Sequence, residues 1–136
     1  MALKNFKLLI CLLILGAPTL AQANCLGTVN EIKANDVKVR WQETTENDGK
    51  PLTISIADGA SGLVYSAKKA GVSWLTGNVS VCRSGNATEI TLKNTQATNN
   101  VPMLARLGLP STQSAQIVNG QIKLEGGGWG GTFIGQ

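Results

Sequence analysis

The chain has 136 residues, the length of one domain, with 12 lysines and arginines against 8 acidic residues and no histidine. The missing histidine excludes the usual Ser-His-Asp and Cys-His forms of nucleophilic catalysis and most zinc sites. The cations are scattered rather than clustered, so the positive excess does not predict a nucleic-acid surface. We therefore predict a protein that is not an enzyme and has no metal or cofactor.

The first 23 residues have the pattern of a cleavable secretion signal. Two lysines precede an apolar run over residues 8–15 that is too short to span a bilayer, and small residues at 21 and 23 suit signal peptidase. Cleavage after Ala23 leaves a single domain over 24–136, without a transmembrane segment, in the periplasm or outside the cell. The alternatives are an uncleaved anchor and a lipid anchor on Cys25.

Cysteine usage agrees with export. Processing removes Cys11 and leaves Cys25 and Cys82 as one pair in an oxidising compartment. We predict a disulfide between them. It closes a loop of nearly sixty residues and stabilises the fold by roughly 4 kcal/mol, because it restricts the unfolded chain.

The hydrophobic pattern from residue 37 onwards has a period of two, which is typical of half-buried strands. The first such strand covers residues 37–42. The Asp-Gly pair at 48–49 predicts a two-residue turn that places Trp41 opposite Ile56.

A second Asp-Gly pair at residues 58–59 predicts another tight turn, which places Ile54 opposite Leu63. Together the two turns predict a three-stranded meander that ends near Ala67. The polar stretch at 68–71 is then predicted to be a longer loop.

The next segment predicts two further strands. Residues 72–82 form the fourth, with a bulge at Gly77, where the apolar positions change parity. A turn at 83–86 leads to a fifth strand through residues 88–92. The polar residues 94–100 are predicted to be a loop.

The last third of the chain begins with a predicted short helix near residues 101–107, which has a proline in its first turn and is followed by a glycine. Asn119-Gly120 predicts a hairpin that pairs Ile117 with Ile122. Residues 132–134 read as a final strand.

About seven short strands with glycine-rich turns predict an all-β fold with one antiparallel β domain. A sandwich, a small barrel and a curled open sheet all fit this pattern.

Trp129 is the most unusual residue of the chain because glycines flank it on both sides. It is a candidate binding residue, since glycines leave its ring uncovered. The other interpretation is a tryptophan that closes the open end of the core. Trp41 and Trp74 fall on apolar strand faces and are predicted to be core residues.

Two segments, Ser61-Gly62-Leu63-Val64-Tyr65 and Trp74-Leu75-Thr76-Gly77, resemble motifs of the membrane-bound and periplasmic inhibitors of c-type lysozyme. Those small secreted β proteins place a serine and a lysine into the lysozyme cleft. The resemblance implies that Ser61, Tyr65 and Thr76 belong to a binding site. Thr76 stands where the family has the lysine.

From these observations we expect an exported, non-enzymatic binding protein of the cell envelope. Its partner is an unknown protein or a hydrophobic ligand, as in lipid handling, envelope assembly or secretion. The alternative hypothesis is an inhibitor of a lysozyme-type hydrolase.

Overall fold

The computed structural model describes residues 24–44, 50–125 and 129–136. The predicted signal peptide, the turn at 48–49 and residues 126–128 of the glycine-rich tail lie outside these residues. The described residues form one nearly closed antiparallel β-sheet with two short helices. The predicted all-β single domain is therefore confirmed.

We number the elements of the described residues in chain order. The strands are β1 Asn24–Leu26, β2 Arg40–Glu43, β3 Leu52–Gly59, β4 Gly62–Lys69, β5 Val72–Ser84, β6 Ala87–Ala97, β7 Gln113–Gln116, β8 Gln121–Leu124 and β9 Gly131–Gly135. The helices are α1 Val29–Ala34 and α2 Met103–Arg106. These nine strands exceed the predicted seven, partly because β1, with only three residues, is too short to show an alternating pattern.

The strands pair in the order β7-β6-β5-β4-β3-β2-β9-β8, and β1 pairs with β5 beside this path. The two ends of the path, β7 and β8, follow each other in the chain and contact each other, and the turn between them closes with a bridge from Val118 to Gln121. The sheet therefore curls until its first and last strands adjoin. This arrangement lies between the predicted small barrel and the predicted curled sheet.

Alternate side chains of the long strands meet inside the curled sheet and form the hydrophobic core. Its largest fully buried side chains are Trp41, Phe133, Ile32, Ile90, Ile122, Val81 and Val101. Burial of such side chains supplies the main favourable free energy of folding. The prediction that Trp41 is a core residue is confirmed, and its indole Nε1 donates to the Lys38 carbonyl at 3.1 Å.

The predicted disulfide joins Cys25 to Cys82. The two residues are direct cross-strand partners in β1 and β5, and 57 positions separate them in the chain. The bond thus fixes β1 to the sheet, where Leu26 reaches the core.

Helix α1 is absent from the sequence prediction. At its start, Thr28 Oγ1 accepts from the Glu31 N–H at 3.1 Å, and Glu31 Oε2 accepts from the Gly27 N–H at 3.0 Å. The first of these bonds satisfies a donor that a helix leaves unpaired at its first turn, and the second fixes the residue just before Thr28. Asp58 Oδ1 also accepts from the Val29 N–H at 2.8 Å. The Thr-x-x-Glu pattern was the available signal for this helix.

The pairing of β2 with β3 differs from the prediction by two residues, since Trp41 pairs with Ile54 instead of Ile56. The predicted register is therefore wrong, while the turn at 48–49 from which it was counted lies outside the described residues. Near it, the Leu52 N–H donates to the Glu43 carboxylate at 3.3 Å. A shift by an even number keeps every side chain on its predicted face, so Trp41, Ile54 and Ile56 are all buried.

The turn between β3 and β4 lies at residues 60–61, not at the predicted 58–59. The prediction that Ile54 pairs with Leu63 is wrong, because Ile54 pairs with Ala67. Asp58 belongs to β3, and its side chain accepts a hydrogen bond at the start of α1. The turn therefore lies two residues later in the chain than predicted.

The predicted long loop at 68–71 is instead a tight turn at Ala70 and Gly71, whose φ angles of 51° and 79° suit a two-residue hairpin. The predicted loop at 94–100 begins later, because β6 runs to Ala97.

The bulge predicted at Gly77 lies at that position, but the extra residue belongs to β6. Thr76 pairs with Gln96 and Asn78 with Lys93, so two residues of β6 face Gly77. A Cβ atom on Gly77 would lie 2.6 Å from the Lys93 carbonyl oxygen, and this close approach requires glycine.

The remaining elements mostly follow the prediction. Turns occur at Gly85-Asn86 and at Asn119-Gly120, and α2 lies inside the predicted range 101–107. The predicted hairpin at Asn119-Gly120 closes in the predicted register, with Val118 opposite Gln121, but it does not continue to Ile117 and Ile122. Beyond this point β7 pairs with β6 and β8 pairs with β9. Among the described residues, no helix is long and apolar enough to cross a membrane.

Candidate functional site

A groove of about 310 Å³ lies between the sheet and the loop that carries α2. Its apolar lining is Leu52, Trp74, Leu104, Ala105 and Trp129. The volume is at the lower end of the range for small-molecule sites in proteins. We call this feature the indole groove, because two tryptophan rings form one wall.

Trp74 reaches the groove through an irregularity in β5. Leu75 pairs with Ala67 of β4, and Ser73 pairs with Lys68, so Trp74 is an extra residue between the two pairs. An extra residue of this kind breaks the alternation of faces. Trp74 is consequently half-buried at the edge of the core, whereas the sequence predicted it inside the core.

Trp129 packs edge-on against Trp74, with ring centroids 6.2 Å apart and ring planes at 64°. This geometry is favourable for aromatic pairs. The Trp129 Nε1 donates to the Ala105 carbonyl at 2.9 Å and so ties the tail of the chain to α2. Its ring is half-buried against the core and also lines the groove, so the position fits both interpretations of this residue.

The loop that carries α2 is held to the sheet by polar contacts. The Thr98 N–H donates to the Trp74 carbonyl at 2.8 Å, and the Thr98 hydroxyl donates to the Ser73 carbonyl at 2.5 Å. The Arg106 guanidinium donates to the carbonyls of Val101 and Thr98 at 3.0 and 3.2 Å. Val101 is fully buried and anchors the loop from below.

Three apolar side chains of this loop point to solvent. Met103, Leu104 and Leu107 are 79%, 83% and 81% exposed. We call these three residues the apolar apex, and Leu104 belongs to both the apex and the groove lining. Single exposed apolar residues are common, but a contiguous group marks an interaction site in many soluble proteins.

Two charged residues also line the groove. The Glu43 carboxylate accepts from the Leu52 N–H, and the Lys69 ammonium lies 5.0 Å from the centre of the Trp74 ring. In the described part of the chain, every buried side-chain nitrogen or oxygen has a hydrogen-bond partner. The groove therefore combines apolar contact from its two tryptophan rings with polar surface of similar extent, to which Glu43 and Lys69 belong.

Tyr65, a candidate from the sequence, lies in the core with 3% of its surface exposed. Its hydroxyl shares a hydrogen bond of 2.5 Å with Thr95 Oγ1. Burial raises the pKa of the Tyr65 phenol, and the hydrogen bond to Thr95 opposes part of that rise.

The other candidates lie apart from one another. Trp129 lines the indole groove, whereas Ser61 lies in the exposed turn between β3 and β4. Thr76 is exposed on β5 opposite Ser66, so it lies roughly 16 Å from Ser61 along the strand direction. A second groove, of about 510 Å³, brings Tyr65 and Thr76 together, but neither Ser61 nor Trp129 lines it, so the four candidates do not form one site.

The sequence prediction missed the apex and the role of Trp74. A usable signal was present, because the predicted helix near 101–107 contains four large apolar residues, more than one buried face of so short a helix needs. The role of Trp74 had no such signal, since its position depends on a bulge relative to β4.

Within the described residues, no group of three or more histidine, cysteine, aspartate or glutamate side chains is placed to hold a metal ion. Comparison with known proteins found no matching family model, no matching curated protein and no matching solved structure.

Proposed function

We propose that the protein is an exported, non-enzymatic binding protein of the cell envelope, and that the indole groove holds an apolar, lipid-like ligand. The observation that carries this proposal is the groove itself, in which two tryptophan rings face a loop with three exposed apolar side chains. A soluble domain has little reason to maintain such a surface unless it is covered in use.

The groove is suited to a single narrow apolar chain. Its volume of about 310 Å³ is small for a ligand site, and Leu52, Trp74 and Trp129 supply apolar lining. Glu43 and Lys69 lie beside this apolar lining, so the groove also offers charged groups to a polar end of such a ligand.

Two observations support export. The first 23 residues have the pattern of a signal peptide, and the Cys25–Cys82 disulfide suits an oxidising compartment. The proposal that the protein is not an enzyme rests on the sequence, which has no histidine to act as a general base.

A fluorescence titration with a nitroxide-labelled fatty acid tests the groove. Trp74 and Trp129 line it, whereas Trp41 is buried in the core. We expect saturable quenching of tryptophan emission, and the variant W74F/W129F loses most of the quenched component because only Trp41 remains.

The matched control is Ser61→Ala, which changes an exposed turn outside the groove and leaves the titration as in the wild type. Absence of saturable quenching in the wild type contradicts the proposal, as does equal quenching of the Trp41-only variant.

Inhibition of a lysozyme-type hydrolase stays a prediction from the sequence resemblance. No described contact favours it, since Ser61 and Thr76 do not share a loop. An assay of c-type lysozyme activity with excess purified protein tests it directly.

A further inference from the structure

The apolar apex is a maintained feature of the fold. Two hydrogen bonds from Arg106 to backbone carbonyls and the bond from Trp129 to Ala105 hold α2 in place. Buried Val101 fixes the start of the same loop. Met103 and Leu107 therefore stay exposed, because these hydrogen bonds hold the backbone that carries them.

The apex adjoins the mouth of the indole groove. Leu104 is 83% exposed and also belongs to the groove lining, so the two surfaces are continuous. A surface that contacts the apex is thereby brought next to the opening through which an apolar ligand enters.

We propose that the apolar apex docks on the surface of a lipid bilayer, so that an apolar ligand passes between the membrane and the groove without crossing water. This inference rests on the proposed function. Met103, Leu104 and Leu107 enter the boundary between headgroups and acyl chains, as the apolar residues of interfacial helices do.

The small size of the apex favours a bilayer over a second copy of the chain. A stable protein–protein interface uses about 20–30 residues a side, whereas the apex consists of three side chains. A bilayer has no minimum contact area, because each apolar side chain that enters it adds to the binding.

Sedimentation with phosphatidylcholine vesicles tests this proposal with the processed protein. We expect wild-type protein to bind these uncharged vesicles and to remain bound at high salt, because the docking residues are apolar. The variant M103S/L107S is expected to bind at least about tenfold more weakly, since two buried apolar side chains are worth more than the 1.4 kcal/mol of a tenfold change.

The matched control is Val118→Ser, which changes a side chain that is 60% exposed in the turn between β7 and β8. It is expected to bind vesicles as the wild type does. Equal vesicle binding by M103S/L107S and wild type overturns the proposal, as does binding that disappears at high salt.

The fatty-acid titration separates this inference from the proposed function. M103S/L107S is expected to retain groove affinity within about twofold, because neither residue lines the groove. Wild-type protein that binds the fatty acid but not vesicles leaves the function standing and overturns the docking. An apex-dependent dimer in size-exclusion chromatography, without vesicle binding, also overturns it.

Discussion

The two ends of strand β5 are stabilised in opposite ways. Near its end, Cys82 forms the disulfide to β1. Helix α1 follows β1 in the chain, and the Thr28 hydroxyl caps its first turn. Near its start, the Trp74 carbonyl accepts a hydrogen bond from the Thr98 N–H and so supports the loop of α2. The two positions are roughly 26 Å apart along the strand. We call them the disulfide end and the groove end.

At the disulfide end, apolar side chains such as Ile32 are buried, and polar side chains satisfy the helix terminus. At the groove end the roles are exchanged, because polar contacts fix the backbone while Leu104 and Leu107 face solvent. Under the proposed function, the first end serves stability and the second end serves binding. Substitutions at the two ends should therefore separate unfolding from ligand affinity.

The largest expected effect is at the disulfide end. Replacement of both cysteines, C25A/C82A, is expected to lower the free energy of unfolding by about 4 kcal/mol, because the unfolded chain gains the freedom of the opened loop. Urea unfolding followed by circular dichroism measures the change. Fatty-acid affinity is expected to stay within about twofold of wild type while the variant is folded.

The corresponding control is reduction of the wild-type disulfide, which is expected to reproduce the same loss of stability. A large loss of groove affinity in the folded C25A/C82A variant contradicts the separation of the two ends.

A smaller effect is expected at the start of α1. Thr28→Ala removes the hydroxyl that accepts from the Glu31 N–H, and this is expected to lower the free energy of unfolding by about 1 kcal/mol. Thermal unfolding measures it, with Ser61→Ala as the control in an exposed turn. An equal loss of stability in both variants means that the capping hydrogen bond adds nothing to the stability of the fold.

The two ends also differ in how far the sequence predicts them. The cysteine count predicted the disulfide, because the predicted processing leaves only Cys25 and Cys82. The alternation of strand residues predicted the buried faces correctly even where the register was wrong, since register errors of even size preserve the face.

The groove was beyond prediction because it depends on long-range placement. Trp74 leaves the core through a bulge relative to β4, and Trp129 meets α2 across 24 positions of the chain. The local pattern of the sequence shows neither the bulge nor the contact. The turn at 60–61 shows the same limit. Asp58 accepts a hydrogen bond from the Val29 N–H at the start of α1 instead of forming the turn, and strand periodicity does not predict α1.

A pH-dependent change in the free energy of unfolding is expected from the core between β4 and β6. There the Tyr65 hydroxyl shares a hydrogen bond with the Thr95 hydroxyl. Burial raises the pKa of the Tyr65 phenol above the ordinary value of 10.0. The unfolded chain therefore loses this proton first, so the stabilisation is complete below about pH 10 and is lost as the pH rises through the folded pKa.

Tyr65→Phe is expected to cost about 0.5 kcal/mol at neutral pH, since one hydrogen bond is lost and water replaces it at half-exposed Thr95. Above pH 10.0 the variant is expected to lose less stability than the wild type. Urea unfolding at several pH values measures this difference. If the free energy of unfolding falls equally in the variant and the wild type above pH 10.0, a group other than Tyr65 causes the alkaline loss.

The smallest effect on stability is expected at the apex, and this makes it the sharpest test of the comparison. Leu107→Ser replaces a side chain that is 81% exposed, so little apolar contact is lost and the free energy of unfolding is expected to change by less than about 0.5 kcal/mol. Vesicle binding is nevertheless expected to weaken severalfold. A residue that matters for binding and not for folding belongs to a surface kept for a partner, whereas a clear loss of stability would show that Leu107 supports the loop of α2.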